Sequence, residues 1–247
     1  MIVTSVSGLK GNLEKYESSK NYQKELSILN RFGPYAILLL SLVVLTGCFN
    51  GSPEERIHKI LEKTAEKESD FTENQEPLND LEKKEKEKYE KIIKLGLDDY
   101  EQIVELSDEA TKNIDQREEI IEKEQSSMQS SKEQFNQIDE QIGKIEDEKI
   151  KKEATEMKKV MSERYSTYDN LYDAYQQSLA YDRELYELFK KEDLKMDELQ
   201  MQIEKINTSY TKVLKANEEF NALTEKSNQK KESFYDSSGI EMADSTK

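Results

Sequence analysis

A single cysteine and a single histidine are the residues best suited to covalent or metal chemistry. Cys48 and His58 are the sole residues of their types among 247. A lone cysteine excludes an intrachain disulfide, and the two residues together are too few for a His/Cys zinc cluster. His58 falls in a charged helical segment, and we interpret it as a surface residue. The thiol of Cys48 therefore requires another role.

The most apolar stretch of the chain lies just before Cys48. Residues 35–45 read YAILLLSLVVL, about half of the roughly 20 residues that a membrane-spanning helix needs. A short basic and turn-forming segment, residues 30–34, precedes this stretch, and small residues follow it. This order is typical of the hydrophobic region of a signal peptide.

The four residues that follow the apolar stretch resemble the lipobox of bacterial lipoprotein precursors. They are Leu45, Thr46, Gly47 and Cys48. The resemblance implies that a diacylglycerol is attached to the Cys48 thiol and that the peptide bond before Cys48 is then cut. Because each buried CH₂ contributes about 0.8 kcal/mol, two or three acyl chains hold a protein durably at a membrane. The implied product is lipid-anchored on the extracytoplasmic face of the cell membrane, with this covalent lipid and no other cofactor. The alternative is an ordinary cysteine buried in an apolar helix.

A polar stretch, residues 1–28, precedes the signal-like segment. Signal peptides usually begin within a few residues of their basic segment. We therefore interpret 1–28 as a non-native or non-structural extension, and we hypothesise that translation begins near Leu29. Residues 29–47 would then form the signal peptide, and 48–52 the lipidated cysteine and its linker.

Six tyrosines lie close together late in the sequence. A tyrosine ring can stack on a sugar or anchor a protein partner while its hydroxyl forms hydrogen bonds. Spacings of 3, 4 and 3 put the first four on one helix face, which favours core packing, with a binding surface as the alternative. Tyr181 is out of this phase and is the member expected to be exposed. The six are Tyr165, Tyr168, Tyr172, Tyr175, Tyr181 and Tyr186.

The remaining sequence argues against an enzyme, a metal site and a nucleic-acid-binding protein. The formal net charge is −16, which repels phosphates. The acidic run at residues 146–148 lacks the glycine and the alternating ligands of a calcium loop. No glycine-rich phosphate loop, nucleophile elbow or HExxH motif is present in the sequence.

The composition is typical of long helices, with 36% charged and 34% hydrophobic residues. Ser52 as N-cap, Pro53 at the first helical position and Glu55 as a capping-box residue predict a helix start. Residues 53–97 are predicted to form N-terminal helices, with a restart near Pro77 and an end near Leu95.

Residues 98–235 carry apolar residues in a 3-4 rhythm, which predicts coiled-coil-like helices. In the first part of this seam the rhythm is interrupted by Ser107, Arg117, Glu124 and Ser131. Turns near 143–147 and 191–193 would divide the region into three similar segments, so we predict an all-α fold with an elongated antiparallel three-helix bundle. The last helix is expected to fray near Ser227, and 236–247 to be a disordered tail. The rival architecture is one uninterrupted helix over 98–190 that pairs with a second chain.

The lipobox, the helix start at residues 52–55 and about 180 residues of Glu/Lys-rich helix with a late tyrosine cluster resemble a known family. It is the family of cell-wall-binding lipoproteins of low-GC Gram-positive bacteria. The resemblance implies a lipid-anchored helical bundle that faces the peptidoglycan and has no catalytic residues. Two functions stay open: binding of peptidoglycan, and a lipid-anchored coiled-coil scaffold or spacer that binds another exported or membrane protein.

Overall fold

The computed structural model describes residues 51–95 and 99–240, and these are almost entirely α-helical. The all-α fold class is thereby confirmed for this part of the chain. The predictions for the extension, the signal peptide and Cys48, and for 241–247 of the tail, lie outside the described residues. None of the described helices is long and apolar enough to cross a membrane.

Three helices make up the N-terminal part: α1 (Pro53–Lys67), α2 (Ser69–Glu73) and α3 (Gln75–Ile92). The start of α1 is confirmed. The Glu55 backbone N–H donates to Ser52 Oγ at 3.3 Å, and Pro53 occupies the first turn. A serine in this position satisfies an amide that the helix itself cannot pair.

Four helices follow: α4 (Tyr100–Phe135), α5 (Ile138–Ile142), α6 (Glu148–Phe189) and α7 (Met196–Ser238). The chain leaves helical geometry at 143–147 and again at 190–195, where turns were predicted. At the first turn, Asp147 Oδ1 accepts hydrogen bonds from the backbone N–H groups of Lys149 and Ile150 and so caps α6. This break excludes the uninterrupted helix over 98–190. The predicted bundle region holds three long helices and the short helix α5, rather than three helices.

The end of α7 differs from the prediction. The helix continues past Ser227, which is buried, and it buries Phe234 and Tyr235 close to its end. It stops at Gly239, whose φ of +67° suits glycine, and the Ile240 N–H donates to Tyr235 O across this turn. The prediction of fraying near Ser227 was therefore wrong, and residues 236–240 of the predicted disordered tail belong to α7 and to the turn that ends it. The apolar residues near the C-terminus resume the seam after a polar gap.

The described residues fall into two compact units. Unit 1 contains 75–95, 99–121 and 173–213, and unit 2 contains 51–74, 122–172 and 214–240. Each unit has its own buried core. The core of unit 1 includes Ile92, Ala110, Ile114, Leu179, Leu185, Phe189, Leu199 and Ile206, and that of unit 2 includes Ile57, Met128, Phe135, Ile138, Met157, Phe220 and Phe234.

The residues that interrupt the predicted seam of α4 are themselves buried. The four residues, which lie in heptad phase with their apolar neighbours, are Ser107, Arg117, Glu124 and Ser131. An ionised group is seldom buried without a partner, because burial removes it from water. The seam is thus continuous, and its polar positions indicate where hydrogen-bonded clusters must lie.

Candidate functional site

The six tyrosines of the predicted binding surface have different environments. Tyr165, Tyr168, Tyr175 and Tyr186 are buried in the cores of the two units, so they do not present a surface to a ligand. Tyr172 and Tyr181 are half-buried. Of the four rings in the 3-4-3 spacing, three are turned into the core, as a helix seam requires. Any tyrosine-based recognition therefore falls to the two half-buried members.

A buried guanidinium lies at the centre of unit 1. Arg117 of α4 is 1% exposed, and its Nη1 contacts the buried carboxylate of Glu85 on α3. Its Nε and Nη2 donate to the Tyr175 hydroxyl of α6 at 3.0 and 2.8 Å. Tyr175 in turn donates to Glu82 Oε1 at 2.6 Å. Three helices are thereby joined through one planar cation, which suits arginine because it presents five donors in a fixed fork.

A further carboxylate, Asp182 of α6, completes this cluster. Its Oδ2 lies 3.5 Å from Arg117 Nη1 and accepts a 2.6 Å hydrogen bond from the Tyr210 hydroxyl of α7. Tyr210 also accepts a hydrogen bond from Arg117 Nη2 at 2.9 Å. Asp182 is fully buried. We call Arg117, Glu82, Glu85, Asp182, Tyr175 and Tyr210 together the Arg117 cluster.

Burial governs the protonation of the Arg117 cluster. Burial and the charge of Glu85 raise the pKa of Asp182 to about 7, against the opposing charge of Arg117. Burial likewise raises the pKa of Tyr175 and Tyr210 well above the usual value, so both remain hydroxyl donors. Burial alone would lower the pKa of Arg117, but the oxygens around it raise that pKa, so the guanidinium is permanently charged.

Unit 2 holds a comparable cluster around Arg164 of α6. The guanidinium binds Glu68 in a bidentate pair at 2.9 and 2.8 Å, and its Nε donates to Thr224 Oγ1 of α7 at 2.9 Å. It also lies over the Phe220 ring, 4.7 Å from the centroid. Ser131 of α4 donates to Glu68 Oε1 at 2.8 Å. Here one cation faces one carboxylate in a geometry that favours both, and Glu68 ties the junction of α1 and α2 to the longer helices.

An open groove of about 690 Å³ lies on the surface of unit 1, along α6 and α7. Three cations and three carboxylates line it, so its local charge is balanced although the whole chain is strongly acidic. Ion pairs join Lys205 to Glu184 at 3.5 Å and Lys191 to Glu198 at 3.6 Å. The groove is lined by Ala180, Arg183, Glu184, Glu187, Leu188, Lys191, Glu198, Met201, Gln202 and Lys205.

Tyr181 lies beside this groove and contacts two of the residues that line it. Lys205 Nζ lies 5.7 Å from the ring centroid, and Gln202 Nε2 donates to the Tyr181 backbone carbonyl at 2.7 Å. Met201, also in the groove, is 57% exposed. Exposed apolar side chains beside fixed charges are typical of binding surfaces, so this groove is the candidate site for an external ligand.

The other residues considered for chemistry have structural roles. Among the described residues no group of His, Cys, Asp and Glu is arranged to hold a metal ion. His58 is half-buried rather than a surface residue: its Nδ1 lies 3.1 Å from the Tyr235 hydroxyl, and its Nε2 lies 3.4 Å from Glu62. Residues 146–148 are exposed, and Asp147 serves as the cap of α6.

Sequence reasoning did not assign roles to Arg117, Arg164 and Asp182. The available signal was their position, because Arg117 interrupts an apolar seam in phase and Asp182 lies seven residues after Tyr175. Neither signal identifies the partners, which come from other helices. Arg117 binds residues 32 to 93 positions away, and such pairings cannot be read from local periodicity.

Comparison with known proteins gives consistent matches. Residues 52–237 match the model of the family described as "Putative cell-wall binding lipoprotein". A relative from Bacillus subtilis (strain 168), "Uncharacterized lipoprotein YkyA", is 39% identical over 200 residues, which cover 81% of this chain and 90% of the relative. A crystal structure of a conserved Staphylococcus aureus protein of unknown function has a TM-score of 0.63 at 17% identity, covering 76% of this chain and 98% of that one. This last likeness concerns the fold alone.

Proposed function

Since the chain belongs to the family of cell-wall-binding lipoproteins, we propose that it is anchored by a lipid on Cys48 and contacts peptidoglycan through its helical part. The family match begins at residue 52, four residues after Cys48. This short interval in sequence supports a helical part that begins soon after the anchor. The protein therefore acts on the extracytoplasmic face of the cell membrane. Neither the description of the family nor the name of the Bacillus subtilis relative mentions a catalytic activity.

The observation that carries the wall-binding proposal is the balanced charge of the groove on unit 1. A formal charge of −16 repels polyanionic wall polymers over most of the surface. The groove instead alternates Arg183, Lys191 and Lys205 with Glu184, Glu187 and Glu198. Stem peptides of peptidoglycan carry carboxylates and amines and are linked to sugars. A stem peptide can exchange its own carboxylates and amines for the partners in the ion pairs of the groove, and the adjacent Tyr181 offers a ring for a sugar face.

Retention on purified peptidoglycan tests this proposal. We expect the protein to bind sacculi from which wall polymers have been removed, and Arg183→Gln combined with Tyr181→Ala to weaken binding about tenfold or more, as loss of a central anchor does. Lys215→Gln is the matched control, because Lys215 is 77% exposed on α7 and does not line the groove. Equal retention of all three proteins would contradict a role for the groove, and no retention of the wild type would contradict wall binding.

A scaffold that binds another exported protein is the second candidate function. It is favoured by Met196 and Met201, two large apolar side chains of α7 that are 46% and 57% exposed. Flexible methionines suit helix-to-helix contacts with a protein partner. A stoichiometric crosslink to one envelope protein, lost in Met201→Lys while sacculus binding is absent, would favour this function over wall binding.

A further inference from the structure

The charge balance of the two guanidinium clusters differs. Among the described residues, Arg164 faces the single carboxylate of Glu68, whereas Arg117 faces those of Glu82, Glu85 and Asp182. Glu85 and Asp182 are almost completely buried. Glu82 is 34% exposed and is partly solvated, but one guanidinium cannot neutralise both buried carboxylates, and an uncompensated charge in a dry core is strongly unfavourable.

Four buried side-chain oxygens of unit 1 lack a hydrogen-bond partner among the described residues: Ser107 Oγ, Asn207 Oδ1, Asp182 Oδ1 and the hydroxyl of Tyr186. The last two, both fully buried, belong to the Arg117 cluster or lie in its electric field. Burial is the main cause that raises the pKa of Tyr186, and the negative charges of Glu85 and Asp182 raise it further. The hydroxyl of Tyr186 therefore lies in the electric field of the Arg117 cluster. Buried polar atoms are usually hydrogen-bonded, so these two oxygens indicate where the cluster can bind a further proton or ligand.

We propose that the Arg117 cluster is a proton-binding site, with the proton on Asp182, and that its occupancy controls how firmly α3 is held in unit 1. A proton on Oδ1 leaves Oδ2 free to accept from Tyr210 as it does in the structure. It removes one buried negative charge and keeps that hydrogen bond, while the charge attraction between Asp182 and Arg117 is lost. The site depends on neither the lipid anchor nor wall binding.

Competition for one nitrogen links the proton to α3. Arg117 Nη1 contacts both Glu85, which belongs to α3, and Asp182, which belongs to α6. When Asp182 is neutral, Arg117 forms ion pairs with Glu85 and Glu82 of α3 alone. When Asp182 ionises, it competes for Nη1 and repels Glu85, so the hold on α3 weakens.

Among the described residues, the charged and titratable groups of the Arg117 cluster and its surroundings come from four helices. Glu82, Glu85 and Tyr89 come from α3, and Arg117 from α4. Tyr175 and Tyr186 lie on α6 itself, and Tyr210 lies on α7. The tyrosines remain protonated near neutral pH because burial raises the pKa of each. Asp182, whose Oδ1 is unpaired and whose pKa is raised by burial, is therefore the carboxyl of this cluster that takes up the proton.

The direction of the pH effect follows from the shift at Asp182. Its pKa rises from the ordinary 3.8 to about 7 in the folded protein. The stabilisation from its proton is complete below the unfolded value and is lost as the pH rises through about 7. One proton changes the opening equilibrium of α3 by at most about tenfold per pH unit.

Hydrogen exchange of the full-length protein tests the proposal. We expect the protection of amides in 75–92, corrected for intrinsic chemical exchange, to fall by at least about tenfold between pH 5 and pH 7.5. Asp182→Asn should keep high protection at both values. Asp115→Asn, on the same unit but 53% exposed, should behave as the wild type. Protection that is independent of pH in the wild type, or a pH dependence that persists in Asp182→Asn, would overturn the proposal.

A second measurement does not depend on the folding of a variant. In the wild type labelled with ¹³C at aspartate carboxyls, one signal should titrate near pH 7. If every aspartate carboxyl titrates below pH 5, Asp182 holds no proton at neutrality and the proposal fails.

Discussion

We expect Arg117→Met to lower the free energy of unfolding by about 3–5 kcal/mol at pH 7.5, the range found when a buried ion pair loses one partner. The methionine restores much of the apolar volume but none of the charge. Glu85 and Asp182 would remain buried without a cation, and the Tyr175 hydroxyl would lose its guanidinium neighbour. Guanidinium chloride unfolding, followed by circular dichroism, measures the change.

Arg183→Met provides the matched control for Arg117. Arg183 also pairs with two carboxylates, Asp115 and Glu118, but its side chain is 36% exposed. Solvent weakens such pairs, so we expect a loss below about 1 kcal/mol. Adding Glu85→Gln and Asp182→Asn to Arg117→Met should recover part of its loss, since the stranded charges are then removed. Similar small losses in both arginine variants, or no recovery, would contradict a central role for the Arg117 cluster.

The helix start and the turns could be predicted because local chemistry specifies them. Ser52 and Pro53 act within one turn of chain, and Asp147 caps the helix that follows it. Gly143 lies where α5 ends. Each of these residues satisfies or disrupts backbone hydrogen bonds a few positions away, and such effects are visible in the sequence.

The buried clusters could not be predicted because their partners are distant in the chain. Arg164 and Glu68 are separated by 96 positions, and Arg117 and Tyr210 by 93. Local reasoning treated Arg117 as a defect in an apolar seam. The structure shows that the seam continues through it and that α3 and α7 supply the oxygens it needs.

The same limit applies to the end of α7. Between Phe220 and Phe234 its seam holds the polar residues Ser227 and Lys231, and fraying was predicted near Ser227. Ser227 is nevertheless buried, and burial lowers the pKa of Lys231, which lies in the field of Glu68 and Arg164. The helix persists because tertiary packing, rather than intrinsic propensity, stabilises most helices in proteins.

We expect Cys48→Ala to abolish acylation and to release most of the protein from the membrane. The lipobox resemblance of residues 45–48 assigns the lipid to this single thiol, so no other cysteine can replace it. Two acyl chains bind durably at about 0.8 kcal/mol per buried CH₂. Without them, a helical part of strongly negative charge has no attraction for anionic headgroups. The membrane-bound fraction should therefore fall by roughly tenfold or more.

Metabolic labelling with a fatty-acid analogue, followed by separation of membranes from medium, measures both effects. Ser52→Ala is the matched control: it removes the cap of α1 four residues beyond Cys48 but leaves the lipobox intact, so label and membrane retention should persist. Label that remains in Cys48→Ala would place the lipid on another residue. An unlabelled wild type retained in the cytoplasm would mean that residues 35–48 form a structural helix, and the proposed anchor and localisation would both be wrong.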